Sequence, residues 1–543
     1  MRTLALFITC TFFFQGISLA QKEASHWYFG YSGGLDFSSG APVYNTASSQ
    51  FVSEGCSSIS DSAGNLLFYT DGITVTNRNH STMANGTGLM GNSDATQSAL
   101  IVKLPGSSTF YYIFTVTNEA NPDGVRYSIV DMSQNGGLGS VVSKNGLIWT
   151  PSSEKLTATR HANGTDVWII THDWNSDAFR SFLLTPGGIL PGFVISHCGI
   201  VHDGSTWNTN GYLKVSSNGK KIAVAVCHYI NKFEVFDFDN LTGMVSNVIS
   251  FPSYPATIGA YGVEFSRDCT KLYGSMLIPP TIYQFDLCAG SAADIINSAT
   301  IIGTDNQWIC ALQLGPDGKI YVARDSNDSL GVINNPNAAG ISCNYSNNGV
   351  YLGSNASGLG LPSFESSLFG LINYHGQCVN DSTLFFITDT NNVDSVLWNF
   401  DDPASGLDNI SRQFNPLHLF TATGNYNVQV IRFGNGVAMD TTIFCLQIIA
   451  CSVLTPAVSM DKKILIAPNP GTGIFDVFVK EINCDNTHLE IYDYTGKKVF
   501  MSSEKYFGQD LKIQIDLSML NPGIYFLKIN GEKFTACERI ILE

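Results

Sequence analysis

Histidine titrates near neutral pH and is a common metal ligand, so the histidines are the natural place to look for chemistry. Five of them, His161, His172, His197, His202 and His228, fall between positions 161 and 228. Asp173, Trp174 and Asp203 stand beside two of these. Brought to one point, such a group would hold a metal ion and activate a water, the chemistry of a hydrolase or lyase. The same residues also read as separate loop and strand positions. His161, His172, Trp174, His197, His202 and His228 therefore form the candidate ligand-binding set, with no catalytic residue and no metal ligand assigned.

Other motifs are weak or absent. Gly86, Gly88 and Gly91 make a G-x-G-x-x-G string, but Ser98-Ala99-Leu100-Ile101-Val102 behind it reads as a strand, whereas a dinucleotide site needs a helix there. No H-E-x-x-H, P-loop or G-x-S-x-G string occurs. No EF-hand spacing surrounds Asp237, Asp239 or Asp325, so no cofactor is expected and a calcium ion has no motif behind it. Arg and Lys are too sparse for the arginine cluster of a sialidase-like carboxylate site. Exposed Tyr and Trp loops would instead suit glycan or protein surfaces, since their rings stack and their polar tips hydrogen-bond.

Composition narrows the class of chain that must position these residues. The 543 residues suggest two to four domains. Charged residues are 14% and aromatics 12%, with 51 Gly. A disordered chain would be richer in charge and poorer in aromatics. A nucleic-acid binder would be basic, whereas 45 acidic residues face 29 basic ones here. An extracellular all-β protein fits.

One turn-plus-strand unit recurs. Its first apolar positions are Leu66, Phe110, Val167, Ile222, Leu272 and Ile320, in steps of 44, 57, 55, 50 and 48 residues. A further step of 48 reaches Leu368, where the turn is missing. A period of about 40–50 residues with Gly-, Asn- and Asp-rich turns is the signature of a β-propeller. Seven blades are favoured and six are the alternative. Trp27-Tyr28-Phe29 would add a strand to the last blade and close the ring. Propeller loops gather at the ends of a central channel, which is where the histidines would have to meet.

The resemblances are specific. Residues 21–375 resemble a Bacteroidetes family of secreted propellers that usually carry trailing PKD and sorting domains. The matching strings include Trp27-Tyr28-Phe29-Gly30, Leu67-Phe68-Tyr69-Thr70-Asp71-Gly72 and Tyr261-Gly262-Val263-Glu264-Phe265. The spacing is also similar to WD40 and YVTN-type propellers, without a Trp-Asp signature. The family implies no shared catalytic set. Residues 376–450 resemble a PKD domain, an immunoglobulin-like sandwich, through Trp398-Asn399-Phe400-Asp401-Asp402 and Gly424-Asn425-Tyr426-Asn427-Val428. Asp401 replaces the usual Gly, and Trp398 is expected in the core.

The two ends speak of export. Arg2, the apolar run Leu4–Phe14 and Ser18-Leu19-Ala20 read as a signal peptide over 1–20. No later apolar stretch is long enough to span a membrane. Residues 464–543 closely resemble the type A C-terminal sorting domain of the type IX secretion system, after a linker at 451–463. The marks are Pro468, Asn469, Pro470 and Gly473, the turn Tyr492-Asp493 to Gly496-Lys497, and Gly523 with Tyr525. The resemblance implies the type IX machinery as a partner and passage through the periplasm to the surface or beyond. The terminal Glu543 departs from the family's basic tail. Alternating apolar residues make this a second small β-sandwich.

Twelve cysteines remain after Cys10, an even number suited to an oxidising compartment. Cys378 with Cys445 or Cys451, and Cys484 with Cys537, are the local guesses. Several others would be free buried thiols. The resulting expectation is an all-β chain, a propeller and two small sandwiches, that binds an extracellular glycan or protein. A propeller hydrolase or lyase with a histidine-lined channel mouth is the alternative.

Overall fold

The computed structural model describes residues 22–450 apart from 46, 255–257, 389 and 391–392. Within 464–543 it describes 464–467, 471, 473–479, 488–493, 498–501, 511–520, 523–530 and 535–542. The expected signal, the linker, Pro468, Asn469, Pro470, Cys451 and Cys484 lie outside the described residues. Residues 1–450 and 451–543 are two compact units.

Seven antiparallel meanders follow one another along the first unit as the blades of a propeller, the second and third joined edge to edge into one eight-stranded sheet by the parallel bridge Ser140–Ala84. Blade 2 opens with Ser57–Ser60, blade 3 with Ala99–Lys103 and blade 4 with Ser152–Arg160. Blades 5, 6 and 7 open with Leu213–Val215, Ile258–Phe265 and Ile309–Leu314. These opening strands touch their counterparts in the neighbouring blades, so they line the ring axis. Each repeat marker from the sequence is the first or second residue of the second strand: Leu66–Thr70, Phe110–Val116, Val167–Asp173, Lys221–Val226, Lys271–Ile278 and Ile320–Arg324. Those strands are nearly all buried, which is why they read as continuous apolar runs.

The turns explain the repeat. Between the first two strands of blade 2, the Asp61 carboxylate accepts from the Ala63 and Asn65 amides, both at 2.9 Å, and Gly64 sits at φ 93°. Gly219 and Gly318 hold the same place in blades 5 and 7. Blade 6 puts Cys269 there at φ 61°, and Asp268 binds Ser266 and Thr270 around it. Short polar side chains that bind their own turn make this geometry accessible without glycine.

The seventh blade differs from its expected position. Leu368 lies in a short 3-10 turn, Ser366–Phe369, and the seventh sheet is built at the other end of the chain. Blade 1 consists of His26–Phe29, Gly33–Asp36 and Val43–Tyr44. Residues 356–364 return to the axis to complete the ring. The Leu359 amide donates to Ser53 O at 2.7 Å, Leu359 O accepts from Ala311 at 3.0 Å, and Ser363 N donates to Cys56 O at 2.8 Å. This segment stitches blade 7 to blade 2. Extrapolating the period missed it because closure joins the two ends of the ring rather than adding another unit. Trp27 pins the joint: it is fully buried, donates to Ala24 O at 2.9 Å, and meets Tyr321 of blade 7 edge-on at 5.4 Å.

A sandwich follows the propeller. One sheet holds Ile372–His375, Thr383–Ile387 and Leu417–His418. The other holds Ile410–Ser411, Ser395–Asn399, Gly424–Gly434 and Val437–Ile448. Trp398 is fully buried against Phe385 and donates to Gln413 O at 3.0 Å. Asp401 takes φ 57°, a conformation glycine adopts freely, and its carboxylate accepts from the Asn427 amide at 2.9 Å. Cys445 pairs with Cys288 of blade 6, so the local pairing with Cys378 is corrected. Cys378 is itself disulfide-bonded. Cys56, Cys198, Cys227, Cys269, Cys310 and Cys343 are free.

The second unit is also a two-sheet sandwich. Ile464–Ala467, Ile474–Val479 and Leu511–Asp516 form one sheet; Lys498–Met501, His488–Asp493, Gly523–Asn530 and Thr535–Leu542 form the other. Phe475, Val477, Leu489, Ile491, Tyr525 and Leu527 fill its core. Gly473 is required where it stands: at φ 124°, any β-carbon would lie 2.8 Å from Ser518 Cα.

Candidate functional site

In an antiparallel blade, the segment entering the first strand and the loop after the second strand lie at the same end. Hydrogen bonds between these loops confirm that arrangement. Thr206, entering blade 5, donates to Glu119 of blade 3 at 3.2 Å, and the Tyr229 amide donates to Asn208 at 3.0 Å. Asn92 donates to Asn118 at 2.8 Å, and the Asp325 amide to Trp308 O at 3.3 Å.

This end carries large exposed rings. Phe51 is 73% exposed beside Tyr31, with ring centres 4.9 Å apart, and Tyr229 is 74% exposed. Trp207 is half exposed, with His228 at 5.0 Å, and Trp308 is also open to solvent. Placing these rings in water costs hydrophobic free energy, which is recovered when a partner covers them.

The axis below is polar. Glu154 is buried and accepts from the Thr96 amide and hydroxyl, both at 2.8 Å, from Glu119 N at 2.9 Å and from Thr209 Oγ1 at 3.0 Å. Burial still raises its pKa, against those four donors. Lys155 donates to Thr209 O at 2.9 Å and Asn210 O at 3.2 Å, and burial pulls its amine down to about 7. Glu54 is pushed well above the carboxylate range by burial and then by the Glu154 and Asp94 charges. The buried Tyr212 and Tyr261 hydroxyls lie beside the Glu54 carboxyl, which hydrogen-bonds to Tyr261 and Thr96. Further along the axis Lys214 pairs with Glu264 at 3.2 Å and contacts Gln313.

The predicted histidine set does not come together. His172 and His202 are buried in blade 4 and stack at 3.6 Å. His172 Nδ1 donates to Asp173 O at 2.8 Å. Burial drives His172 down to about 3, and His202 well below its ordinary value. His197 is exposed on an outer strand and binds Asp177 at 2.7 Å. His161 sits in the turn between the first two strands of blade 4, at the opposite end, with its ring 5.5 Å from Trp168. His228 joins Trp207 at the aromatic end, and Trp174 is buried. Among the described residues, no three His, Cys, Asp or Glu side chains form a metal-ligand group.

Sequence reasoning missed Glu54, Glu154, Lys155, Tyr212 and Tyr261. The available signal was isolated charges inside otherwise apolar axis strands, such as Glu154-Lys155 before Leu156 and Glu264 inside Tyr261–Phe265.

Residues 465–543 match the model of the secretion system C-terminal sorting domain. This end of the chain is a type IX sorting domain. The sorting domain sends the protein out of the cell, to the cell surface or into the medium, and makes the type IX machinery its partner. No helix among the described residues is long and apolar enough to cross a membrane. Among curated proteins none matches the chain.

Solved structures similar to this chain include the β-propeller domain of Myceliophteria thermophila Cps50 (Swd1), at 10% identity and TM-score 0.35, over 56% of this chain and 94% of that one. The Dos1 propeller is 11% identical with TM-score 0.32, over 53% and 69%. Regucalcin from Agrobacterium tumefaciens, described as a calcium-binding protein, is 13% identical with TM-score 0.31, over 55% and 86%.

Proposed function

We propose that the protein is a surface or secreted binding protein whose propeller recognises an extracellular protein or glycan through the loop end bearing Phe51, Trp207, Tyr229 and Trp308. One observation carries this reading: these four rings are left open to solvent at one end of a ring whose other large aromatics are mostly buried. Flat rings with polar tips suit both sugar faces and protein side chains. The sandwich after the propeller is read as a PKD-like spacer. In that reading export begins with a signal peptide at 1–20 and the source is a Bacteroidetes cell. The histidine-lined hydrolase or lyase lacks the convergence it needs, since only His172 and His202 meet.

The test is a screen of the purified protein against arrayed glycans and immobilised extracellular proteins, repeated with the Trp207→Ala/Tyr229→Ala double variant. Binding that the double variant loses supports the assignment. Binding that it keeps in full refutes it.

A further inference from the structure

One lysine of the repeat lacks the partner that its counterparts have. In blades 5 and 6 the residue just before the first apolar position of the second strand is Lys221 or Lys271. Each faces an aspartate of the third strand, Asp237 or Asp286, in direct cross-strand register. Both pairs are closed: Lys221 Nζ lies 2.5 Å from Asp237 Oδ1, and Lys271 Nζ lies 2.9 Å from Asp286 Oδ1. Blade 7 repeats the lysine as Lys319, just before Ile320. Ile320 pairs with Ile333, so one step further Lys319 faces Asn334. The carboxylate is replaced there by a neutral amide, which donates to Asn344 O at 2.9 Å. Among the described residues Lys319 forms no ion pair. Asp317, in the preceding turn, is engaged by the Tyr321 hydroxyl at 2.8 Å and the Lys319 backbone amide at 3.3 Å.

A second observation lies beside this amine. Lys319 and Asn334 line a groove of about 320 Å³ at the seam between blades 7 and 1. Blade 1 contributes Tyr44, and blade 7 contributes Val350 and Tyr351 from its outer strand, Tyr345–Tyr351. Lys319 is the one charged side chain in this lining, and the Tyr351 ring is 64% exposed. A cation whose internal counter-charge is missing therefore stands in an open groove between tyrosine rings. A carboxylate from outside would restore the charge-assisted pair that blades 5 and 6 make internally. Tyrosine rings suit the apolar face of a sugar ring.

We propose that the seam groove binds an acidic sugar. Its carboxylate takes the place at Lys319 that Asp237 and Asp286 take at Lys221 and Lys271, and its ring lies against Tyr44 and Tyr351. This site is separate from the aromatic loop end, because Lys319 follows the Gly318 turn at the opposite end of the blade. A neutral sugar leaves the ammonium without a counter-charge, and a basic ligand is repelled by it.

The test is isothermal titration calorimetry of the purified protein with glucuronate, galacturonate and a galacturonate trimer, compared with their methyl esters and with sodium sulfate. Four variants accompany the wild type. Lys319→Met removes the cation. Asn334→Asp keeps the lysine and supplies the internal carboxylate that blades 5 and 6 possess. Lys221→Met removes the equivalent, internally paired lysine of blade 5. Trp207→Ala/Tyr229→Ala strips the loop end. The proposal expects at least tenfold weaker binding of the best uronate in Lys319→Met, in Asn334→Asp and on methyl esterification, with less than a twofold change in the other two variants. No binding of any uronate by the wild type at millimolar concentration overturns it. Equal binding of the methyl esters, or binding that survives both Lys319→Met and Asn334→Asp, also overturns it. Sulfate bound as tightly as the uronates means a bare anion site, and the acidic-sugar inference falls. Uronate binding lost in Trp207→Ala/Tyr229→Ala and kept in Lys319→Met places the sugar at the loop end, so the groove fails and the recognition role survives.

Discussion

Cys288 of the sixth blade is disulfide-bonded to Cys445 on the last strand of the following sandwich, across 157 residues of sequence. The bond ties two folding elements that also meet where the Lys220 amine lies over the Tyr374 ring. A bridge closing so long a loop restricts the unfolded chain strongly.

Replacing both partners, as Cys288→Ser/Cys445→Ser, is therefore expected to lower unfolding stability by about 2–4 kcal/mol. Urea unfolding followed by far-ultraviolet circular dichroism measures it. An unchanged midpoint would mean that packing alone holds the sandwich in place.

Ring closure offers a second prediction. Trp27 is fully buried between blades 1 and 7, within 5.8 Å of Phe37, Tyr321 and Phe364. Trp27→Ala is expected to cost roughly 3–5 kcal/mol. Trp207→Ala, at an exposed site, is expected to stay within about 0.5 kcal/mol. Thermal melts of the two variants side by side separate a structural tryptophan from a recognition one.

The stacked pair His172 and His202 predicts acid sensitivity. Burial keeps His172 unprotonated down to about 3 and His202 well below its ordinary value, so the unfolded chain takes protons that the folded one refuses. The stability tied to each is full above pH 6.5 and is lost as the pH falls toward the folded pKa. Each contributes a slope of up to about 1.4 kcal/mol per pH unit in that window. Urea midpoints between pH 7 and 4.5 should fall in the wild type and fall less in His172→Gln/His202→Gln. Glu54 acts in the other sense, because its raised pKa favours the folded state at low pH and that gain is lost as the pH rises past it. Glu54→Gln should steepen the acid fall. A shallower one would contradict the sign.

Export gives the fourth prediction. Deleting residues 465–543, the span of the sorting-domain match, should leave the protein inside the cell envelope and off the surface. Fractionation with surface protease digestion reads this out, and normal surface display of the truncation would contradict it.

Much of the fold was legible because its signals are local. A turn of Asp, Asn and Gly before an apolar run marks a hairpin wherever it occurs, and all six markers fall at the start of second strands, within one residue. Trp398 followed from alternation within one strand pair. The sorting domain was legible through its turn and strand motifs, of which Gly473 has a plain steric reason. What stayed hidden depends on distance along the chain. Residues 356–364 close the ring without a turn motif of their own, and Cys288 finds Cys445 only through the finished fold. The histidines looked like a site because they are close in sequence, yet successive strands of a blade run in opposite directions, so His161 and His172 end at opposite faces. The axis group of Glu54, Glu154 and Tyr261 arises from blades whose sequences are far apart, and only the ring brings them together.

The proposed recognition runs through the aromatic loop end. Its most direct test is the dissociation constant of the best ligand from the glycan and protein screen, measured for the wild type, for Trp207→Ala/Tyr229→Ala and for the opposite-end variant Asp61→Asn/Asp166→Asn/Asp239→Asn. At least tenfold weaker binding in the aromatic variant alone is the predicted result. Binding that survives that variant, or weakens equally in both, would rule out recognition through this end.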